Sequence, residues 1–132
     1  MKKTGLLNAP LAAILAELGH TDTLVIADAG LPIPAGTTRI DLAIVPGLPG
    51  FLAVLDAVLA ELCVEGATLA AEIRTASAEL DRAVSERLGA AVTVDYVDHE
   101  AFKRELRHAR AVVRTGECTP YANVILRCGV PF

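Results

Sequence analysis

A short segment of apolar and β-branched residues between strong turn signals, Thr23–Ala27, constrains the fold of this chain more than any other feature. A loop with His20 precedes it, and Asp28, Gly30 and the segment Pro32–Pro34 follow it. Residues of this kind within such boundaries are typical of a fully buried central strand. Because the glycine and the prolines oppose a helix directly after the strand, we expect an extended loop there. The chain should therefore fold around a sheet with this strand near its centre.

Strand and helix patterns alternate through the rest of the chain. The predicted strands are Thr23–Ala27, Arg39–Ile44, Val64–Ile73, Val92–Val97, Ala111–Arg114 and Asn123–Leu126. The predicted helices are one that Asn8 caps and Gly19 ends, then Phe51–Leu62, Ser77–Leu88 and one that Asp98 caps and that ends near His108. Such alternation is typical of the α/β class, in which helices flank both faces of a sheet. With no internal repeat or linker, residues 1–132 are predicted to form a single domain.

The composition narrows the possible partners. Hydrophobic residues make up 53% of the chain and aromatic residues only 4%, so we expect a core of Ala, Val, Leu and Ile. This apolar share is high for so small a chain and indicates that part of the surface is buried against other subunits. The net charge of −4 and the lack of a basic run disfavour nucleic acid and anionic membranes as partners.

The cysteines and the N-terminal segment predict a cytoplasmic protein. Three cysteines without a Cys-x-x-Cys spacing are typical of reduced thiols, not of a disulfide framework or a zinc site. Asn8 and Glu17 interrupt the apolar stretch after the first lysines, so we expect a helix of the mature protein there, not a signal peptide. No apolar run approaches the roughly 18 residues of a membrane span.

His20 and Asp28 flank the predicted central strand and form the first candidate site. In open α/β sheets, ligands bind beyond the carboxyl ends of the strands, where Asp28 is expected. Histidine is the side chain that most readily exchanges protons near neutral pH. We therefore take the imidazole of His20 and the carboxylate of Asp28 as the predicted chemical centre.

Two further pairs of residues add hydrogen-bonding groups. His99 and Lys103 are four residues apart on a predicted helix and share one face of it. Tyr121 and Asn123 are two residues apart in a segment that enters a strand, so their side chains are expected to point the same way. A hydroxyl, an amide, an imidazole and a cation together form the mixed donor and acceptor set that a polyhydroxyl ligand needs.

Each candidate is also compatible with a plainer role: a solvated loop for His20, a turn for Asp28, and a helix surface for His99 and Lys103. His20, His99 and Asp28 match the composition of a two-histidine, one-carboxylate metal site, but no His-x-x-x-His spacing supports one. The sequence has no phosphate-binding glycine loop, nucleophile elbow or dinucleotide fingerprint. We therefore expect neither a metal nor a cofactor.

Two residues near the end of the chain receive plain interpretations. Glu117 is predicted to be a turn carboxylate. Cys118 is predicted to be a small packing residue, because no base is suggested beside its thiol.

Four segments resemble the bacterial D-ribose pyranase family, which is related to the L-fucose mutarotases. They are residues 19–24 (GHTDTL), 28–34 (DAGLPIP), 37–41 (TTRID) and 116–126 (GECTPYANVIL). The resemblance runs from Met1 to Phe132, and the segments follow the order that the family has. Two departures from the family pattern, Arg127 and Pro131, lie outside the site positions and are expected to affect only local packing.

The resemblance implies a cytoplasmic isomerase that interconverts the pyranose and furanose forms of D-ribose. It also implies an α/β fold assembled as a ring-shaped homodecamer, with sites in clefts between neighbouring subunits. His20 matches the family's general acid. The positions that match the family's sugar-binding residues are Asp28, His99, Lys103, Tyr121 and Asn123.

A proton-transfer mechanism suits these residues. Opening a hemiacetal protonates the ring oxygen and deprotonates the anomeric hydroxyl, and histidine titrates in the right range for this exchange. Our hypothesis is that His20 protonates the ring oxygen and that Asp28 orients it. The base is unassigned between His99 and a bound water. Tyr121, Asn123 and Lys103 would hold the remaining hydroxyls.

Three rival functions stay open on the sequence. A mutarotase for fucose or another sugar would use the same chemistry. A non-catalytic ribose-binding protein linked to transport would bind the sugar without accelerating exchange between its forms. A metal-dependent hydrolase or isomerase would lose its activity on chelation.

Overall fold

The computed structural model describes all 132 residues, Met1–Phe132. It has five α-helices, which are α1 (Ala9–Glu17), α2 (Phe51–Leu59), α3 (Ile73–Ala76), α4 (Ala78–Leu88) and α5 (His99–Glu105). Its six strands are β1 (Thr23–Ala27), β2 (Arg39–Asp41), β3 (Val64–Ala70), β4 (Thr93–Val97), β5 (Ala111–Arg114) and β6 (Val124–Cys128). A 3₁₀ turn, Leu106–His108, extends α5. None of the helices is both long enough and apolar enough to span a bilayer.

The strands form one mixed sheet in the order β2-β5-β1-β6-β3-β4. Strand β6 runs antiparallel to both of its neighbours, β1 and β3, whereas the other neighbouring strands are parallel. The five parallel strands therefore end at one edge of the sheet, which we call the carboxyl end. They begin at the opposite edge, the amino end. Residues that precede β6 lie at the carboxyl end, and residues that follow it lie at the amino end.

Side-chain alternation along β1 divides the core between the two faces of the sheet. Leu24 and Ile26 belong to a cluster of 19 buried residues that also includes apolar side chains of α1, α2 and α4. Val25 and Ala27 belong to a smaller cluster of seven, which includes Phe102 of α5. Helices thus flank both faces, as predicted for the α/β class. They cover the second face unevenly, because residues of β3 and β4 there line an open polar cleft of about 150 Å³.

Local capping signals located several helix ends correctly. The side chain of Asn8 accepts a hydrogen bond from the Leu11 N–H (3.0 Å), and Asp98 caps α5 through the Ala101 N–H (2.8 Å). Gly89 ends α4 in a left-handed conformation, with φ of 75°. Gly19 occupies the predicted C′ position, directly after Leu18, the C-cap of α1. It does so without a left-handed backbone, and its N–H donates to the Asp22 carboxylate (2.9 Å).

Several predicted boundaries were also wrong. The second strand ends at Asp41, because the Ile44 N–H bonds to the Leu48 carbonyl (3.0 Å) within a loop and not to the sheet. Strand β3 ends at Ala70, and the short helix α3 follows where the prediction continued the strand. Helix α2 ends at Leu59, and the last strand is shifted to Val124–Cys128.

Candidate functional site

Asp28 and Asn123 form a paired set of hydrogen bonds at the carboxyl end of the sheet. Asp28 follows β1 and Asn123 precedes β6, so the antiparallel pairing of these strands places them side by side. The Asp28 N–H donates to Asn123 Oδ1 (2.8 Å), and Asn123 Nδ2 donates to Asp28 Oδ2 (2.8 Å). The Gly30 N–H donates to the other carboxylate oxygen (2.9 Å). Asn123 is fully buried, so it fixes the carboxylate of Asp28 in one orientation.

His99, the first residue of α5, contacts Tyr121, which precedes Asn123 by two residues. Its ring contacts the Tyr121 ring edge-on, with centroids 5.2 Å apart, and stacks on Phe102 at 6.4 Å. Its backbone N–H donates to Glu72 Oε1 (3.0 Å). His99 Nδ1 and Glu72 Oε2 are both buried without a hydrogen-bond partner. Such atoms carry a free-energy cost until a hydrogen-bonding group reaches them.

Glu72 is a further candidate that was not predicted from the sequence. It follows β3 at the carboxyl end of the sheet, as Asp28 follows β1. A carboxylate directly beyond the carboxyl end of a strand identified Asp28, and the same rule applies to Glu72. Because the predicted strand extended to Ile73, Glu72 was placed inside the strand and not beyond its end. We call Asp28, Glu72, His99, Tyr121 and Asn123 the carboxyl-end cluster.

Tyr121 reaches this cluster from a turn and not from a strand. Its φ is 61°, in the left-handed region, and its carbonyl accepts a hydrogen bond from the Asn123 N–H (2.8 Å). Because β6 begins only at Val124, the alternation rule used to predict parallel side chains for Tyr121 and Asn123 does not apply. A left-handed non-glycine residue is strained, and such strain often occurs at functional sites.

Lys103 is engaged within its own helix. Its ammonium pairs with the Glu100 carboxylate (2.6 Å), three residues earlier on α5. The structure records no direct contact between Lys103 and the carboxyl-end cluster. Its predicted position on the same helix as His99 is correct, but its charge is already partnered.

His20 lies at the other end of the sheet. It precedes β1, Asp28 follows β1, and a five-residue strand at about 3.3 Å per residue separates the two ends by roughly 16 Å. The prediction that Asp28 orients His20 is therefore wrong within one chain. For the same reason, His20, His99 and Asp28 cannot form a metal site within one chain. No other group of three or more His, Cys, Asp or Glu residues is arranged to hold a metal ion.

At the amino end, His20 contacts the carboxylate of Glu65, which was not among the predicted site residues. Its Nε2 lies 3.0 Å from Glu65 Oε2, and the other oxygen of Glu65 accepts a hydrogen bond from Arg127 Nε (3.1 Å). We call these three residues the amino-end cluster. The hydrogen bond with His20 lowers the pKa of Glu65, and Arg127 adds to the effect, so Glu65 is ionised at neutral pH. The His20 side chain is 54% exposed.

Glu117 has the role of a turn carboxylate that the sequence predicted. Its Oε2 accepts a hydrogen bond from the Phe51 N–H (3.0 Å) at the start of α2, and its Oε1 accepts one from the Thr119 hydroxyl (2.8 Å). Burial opposes ionisation of Glu117, yet these and neighbouring hydrogen bonds lower its pKa. The turn forms one wall of a depression of about 380 Å³ beside Asp28 and Gly30.

The chain is similar to known proteins along its whole length. Residues 1–131 match the model of the RbsD / FucU transport protein family. The chain is 55% identical over 132 residues to the D-ribose pyranase of Geobacillus kaustophilus, covering all of this chain and 96% of that one.

Two solved structures are also similar. Bacillus subtilis RbsD complexed with D-ribose has a TM-score of 0.95 and 50% identity, with both chains fully covered. The fucose mutarotase of Streptococcus pneumoniae in complex with L-fucose has a TM-score of 0.74 and 25% identity, again with full coverage.

Proposed function

The chain belongs to the RbsD / FucU transport protein family, and we infer that it catalyses the reaction of the D-ribose pyranases, the interconversion of the pyranose and furanose forms of D-ribose. It is an isomerase. The observation behind this conclusion is the identity of 55% over the entire length of a D-ribose pyranase, together with a TM-score of 0.95 to a relative whose structure contains D-ribose. The fucose mutarotase is more distant in both measures, at 25% identity and a TM-score of 0.74.

His20 is the proposed general acid. Ring opening requires a proton on the ring oxygen as the anomeric hydroxyl loses one, and re-closure uses a different hydroxyl of the same sugar. The imidazole of His20 is exposed in the loop before β1, so it can donate that proton to a bound ligand. Positioned acid–base catalysis accelerates such steps by roughly 10²- to 10⁴-fold.

We propose that the complete site is shared between two copies of the chain. The carboxyl-end cluster has the donors and acceptors for sugar hydroxyls, but its one imidazole, that of His99, is partly enclosed by Tyr121 and Phe102. His20 lies at the opposite end of the sheet. Contact between the amino end of one copy and the carboxyl end of the next would bring both clusters to one sugar. Such head-to-tail contacts close into rings when the rotation between copies permits.

This arrangement supports the ring-shaped homodecamer that we propose for the assembled enzyme. Large apolar side chains exposed on a single chain are consistent with further subunit contacts: Leu7, Ile44, Val45, Leu48 and Phe132 are each at least half exposed. The proposed compartment is the cytoplasm, where the free thiols would stay reduced.

The predicted sugar-binding residues have the following proposed roles. Asp28, held by Asn123, accepts hydrogen bonds from sugar hydroxyls through lone pairs that its protein partners leave free. Tyr121 offers a hydroxyl and an aromatic face, and His99 offers a ring nitrogen. Lys103 would contribute only after releasing Glu100.

The test is a saturation-transfer NMR experiment on D-ribose. Exchange between pyranose and furanose signals should be faster with the protein than in buffer, and His20→Ala should return it to near the buffer rate while ribose still binds. Exchange at the buffer rate with the unaltered protein would instead indicate the non-catalytic ribose-binding alternative. Exchange rates measured on a panel of sugars that includes L-fucose distinguish a ribose pyranase from a mutarotase for fucose or another sugar.

A further inference from the structure

Glu65 contacts both His20, the proposed general acid, and Arg127. It lies in β3, next to β6, and its two carboxylate oxygens have different partners, one in the loop before β1 and one in β6. One oxygen is 3.0 Å from His20 Nε2, and the other accepts a hydrogen bond from Arg127 Nε at 3.1 Å. An ionised carboxylate can only accept hydrogen bonds, so the His20 nitrogen that faces it must bear the proton.

The backbone that presents His20 is held on both sides. Before it, the Gly19 N–H donates to Asp22 Oδ2 (2.9 Å), and after it, the Thr21 N–H donates to the Cys128 carbonyl (2.9 Å). Thr21 has a φ of 70°, which is a strained conformation for a β-branched residue. The turn therefore fixes the Cα position of His20, and the direction of the ring depends on the contact with Glu65.

Arg127 fits against the strand because position 66 lacks a side chain. A Cβ added to Gly66 would lie 2.7 Å from one guanidinium nitrogen of Arg127 and 2.9 Å from its central carbon. Glycine thus lets the arginine cross the strand and reach Glu65. The expectation that Arg127 affects only local packing is wrong, because its guanidinium contacts the carboxylate that contacts His20.

We propose that Glu65 is a positioning residue for His20: it accepts the hydrogen bond from Nε2–H, so that Nδ1 is the nitrogen that exchanges a proton with the sugar ring oxygen, and Arg127 holds Glu65 in place. This inference rests on the proposed function of His20. In the acid step, the imidazolium of His20 gives its Nδ1 proton to the ring oxygen as the bond between that oxygen and the anomeric carbon breaks, and the anomeric hydroxyl gives its proton to the base, His99 or a water molecule, as the carbonyl forms. His20 is then a neutral imidazole with its Nε2–H still bound to Glu65. On re-closure, a different hydroxyl attacks the carbonyl carbon and gives its proton to Nδ1, while the carbonyl oxygen takes a proton back from the base.

Other charged and titratable groups face this corner of the molecule. Asp22 lies in the same turn, and its carboxylate is 3.8 Å from the guanidinium of Arg110. Cys128 of β6 is buried, which together with Asp22, Cys63 and Glu65 raises its pKa to about 11, so its thiol is neutral at physiological pH. Glu65 is therefore the one carboxylate in direct contact with the imidazole of His20. Its removal would change the electrostatic environment of the imidazole more than the removal of any other nearby charge.

The experiment compares the pH dependence of ribose exchange in the full-length protein and its variants Glu65→Gln and Glu65→Asp. Loss of the negative charge disfavours the cationic imidazole, so in Glu65→Gln the alkaline limb of kcat/KM should move to lower pH by about half a unit, and the rate near pH 8 should fall about threefold. Glu65→Asp retains the charge but is one methylene shorter. We expect it to lower the rate while leaving the limb at the wild-type pH.

The matched control is Glu86→Gln, which makes the same charge change on the exposed surface of α4 and should match the unaltered protein. An equal rate loss at every pH in Glu65→Gln, or an unchanged profile, would overturn the proposal. The pH titration of the His20 ring signals by NMR provides a readout that does not depend on turnover. If the unaltered protein fails to accelerate exchange, the proposed function is wrong, and the ring titration in Glu65→Gln still decides whether Glu65 acts on His20.

Discussion

His20 and Asp28 lie at opposite ends of the same five-residue strand, so one chain cannot bring their side chains to the same sugar. Each has its own partners: Glu65 for His20, and Asn123 with the Gly30 N–H for Asp28. The two residues that first suggested a single chemical centre instead mark two clusters. The shared site that we propose would account for the presence of both clusters in a chain of 132 residues.

A shared site predicts that inactive variants rescue one another. His20→Ala damages only the amino-end cluster, and Asp28→Asn, of nearly the same shape, damages only the carboxyl-end cluster. After mixing and refolding in equal amounts, about one quarter of the sites in random assemblies should contain two intact clusters, with a matching recovery of ribose exchange. Each variant refolded alone is the control. No recovery in mixed assemblies of verified composition would rule out the shared site.

Asn123→Ala should destabilise the protein. The substitution removes the buried partner of both the Asp28 N–H and the Asp28 carboxylate, and unsatisfied groups of this kind cost about 1 to 3 kcal/mol each. We expect the free energy of unfolding, measured by urea denaturation, to fall by at least this amount. Asn8→Ala, which removes a partly exposed helix cap, should cost only about 1 kcal/mol. An equal or larger loss for Asn8→Ala would contradict the proposed role of Asn123.

Glu117 should contribute to the free energy of unfolding in a pH-dependent way. Its pKa is lower in the folded chain than in the unfolded chain, so its contribution is fully present above the unfolded value of about 4.5 and is lost as pH falls through the folded value. At pH 7, Glu117→Gln should lower the free energy of unfolding by about 1 to 3 kcal/mol, because several hydrogen bonds to a charged acceptor are weakened.

The difference in free energy of unfolding between Glu117→Gln and the unaltered protein should become smaller as the pH is lowered below 4.5. Urea denaturation at several pH values measures it. Glu86→Gln on the exposed surface of α4 is the control and should show little difference at any pH. If the difference in free energy of unfolding for Glu117→Gln were the same at every pH, the lowered pKa of Glu117 would not be the source of its stabilising effect.

The three cysteines should differ in reactivity. Cys63 and Cys118 are exposed, whereas Cys128 is buried and its pKa is raised to about 11, so almost none of it is the reactive thiolate at pH 8. A thiol-reactive disulfide reagent should modify Cys63 and Cys118 in the folded protein and Cys128 only after denaturation. Mass spectrometry of the modified peptides identifies the sites. Early modification of Cys128 would be inconsistent with its position in the core.

The sequence alone determined the features that depend on neighbouring residues. The buried strand Thr23–Ala27, the caps Asn8 and Asp98, and the end of α4 at Gly89 were predicted correctly. Each depends on side chains within a few residues, where periodicity and capping preferences act. The placement of Asp28 beyond the carboxyl end of a strand followed from the same local pattern.

Only the tertiary structure decided which residues meet. The insertion of the antiparallel strand β6 between β1 and β3 brings Asn123 to Asp28 and Arg127 to Glu65. The local pattern of apolar residues specifies that a segment is a strand, but the order of strands depends on how whole faces pack against helices far away in sequence. For this reason the sequence indicated His20 and Asp28 as candidates, while the fold assigned them to opposite ends of the sheet.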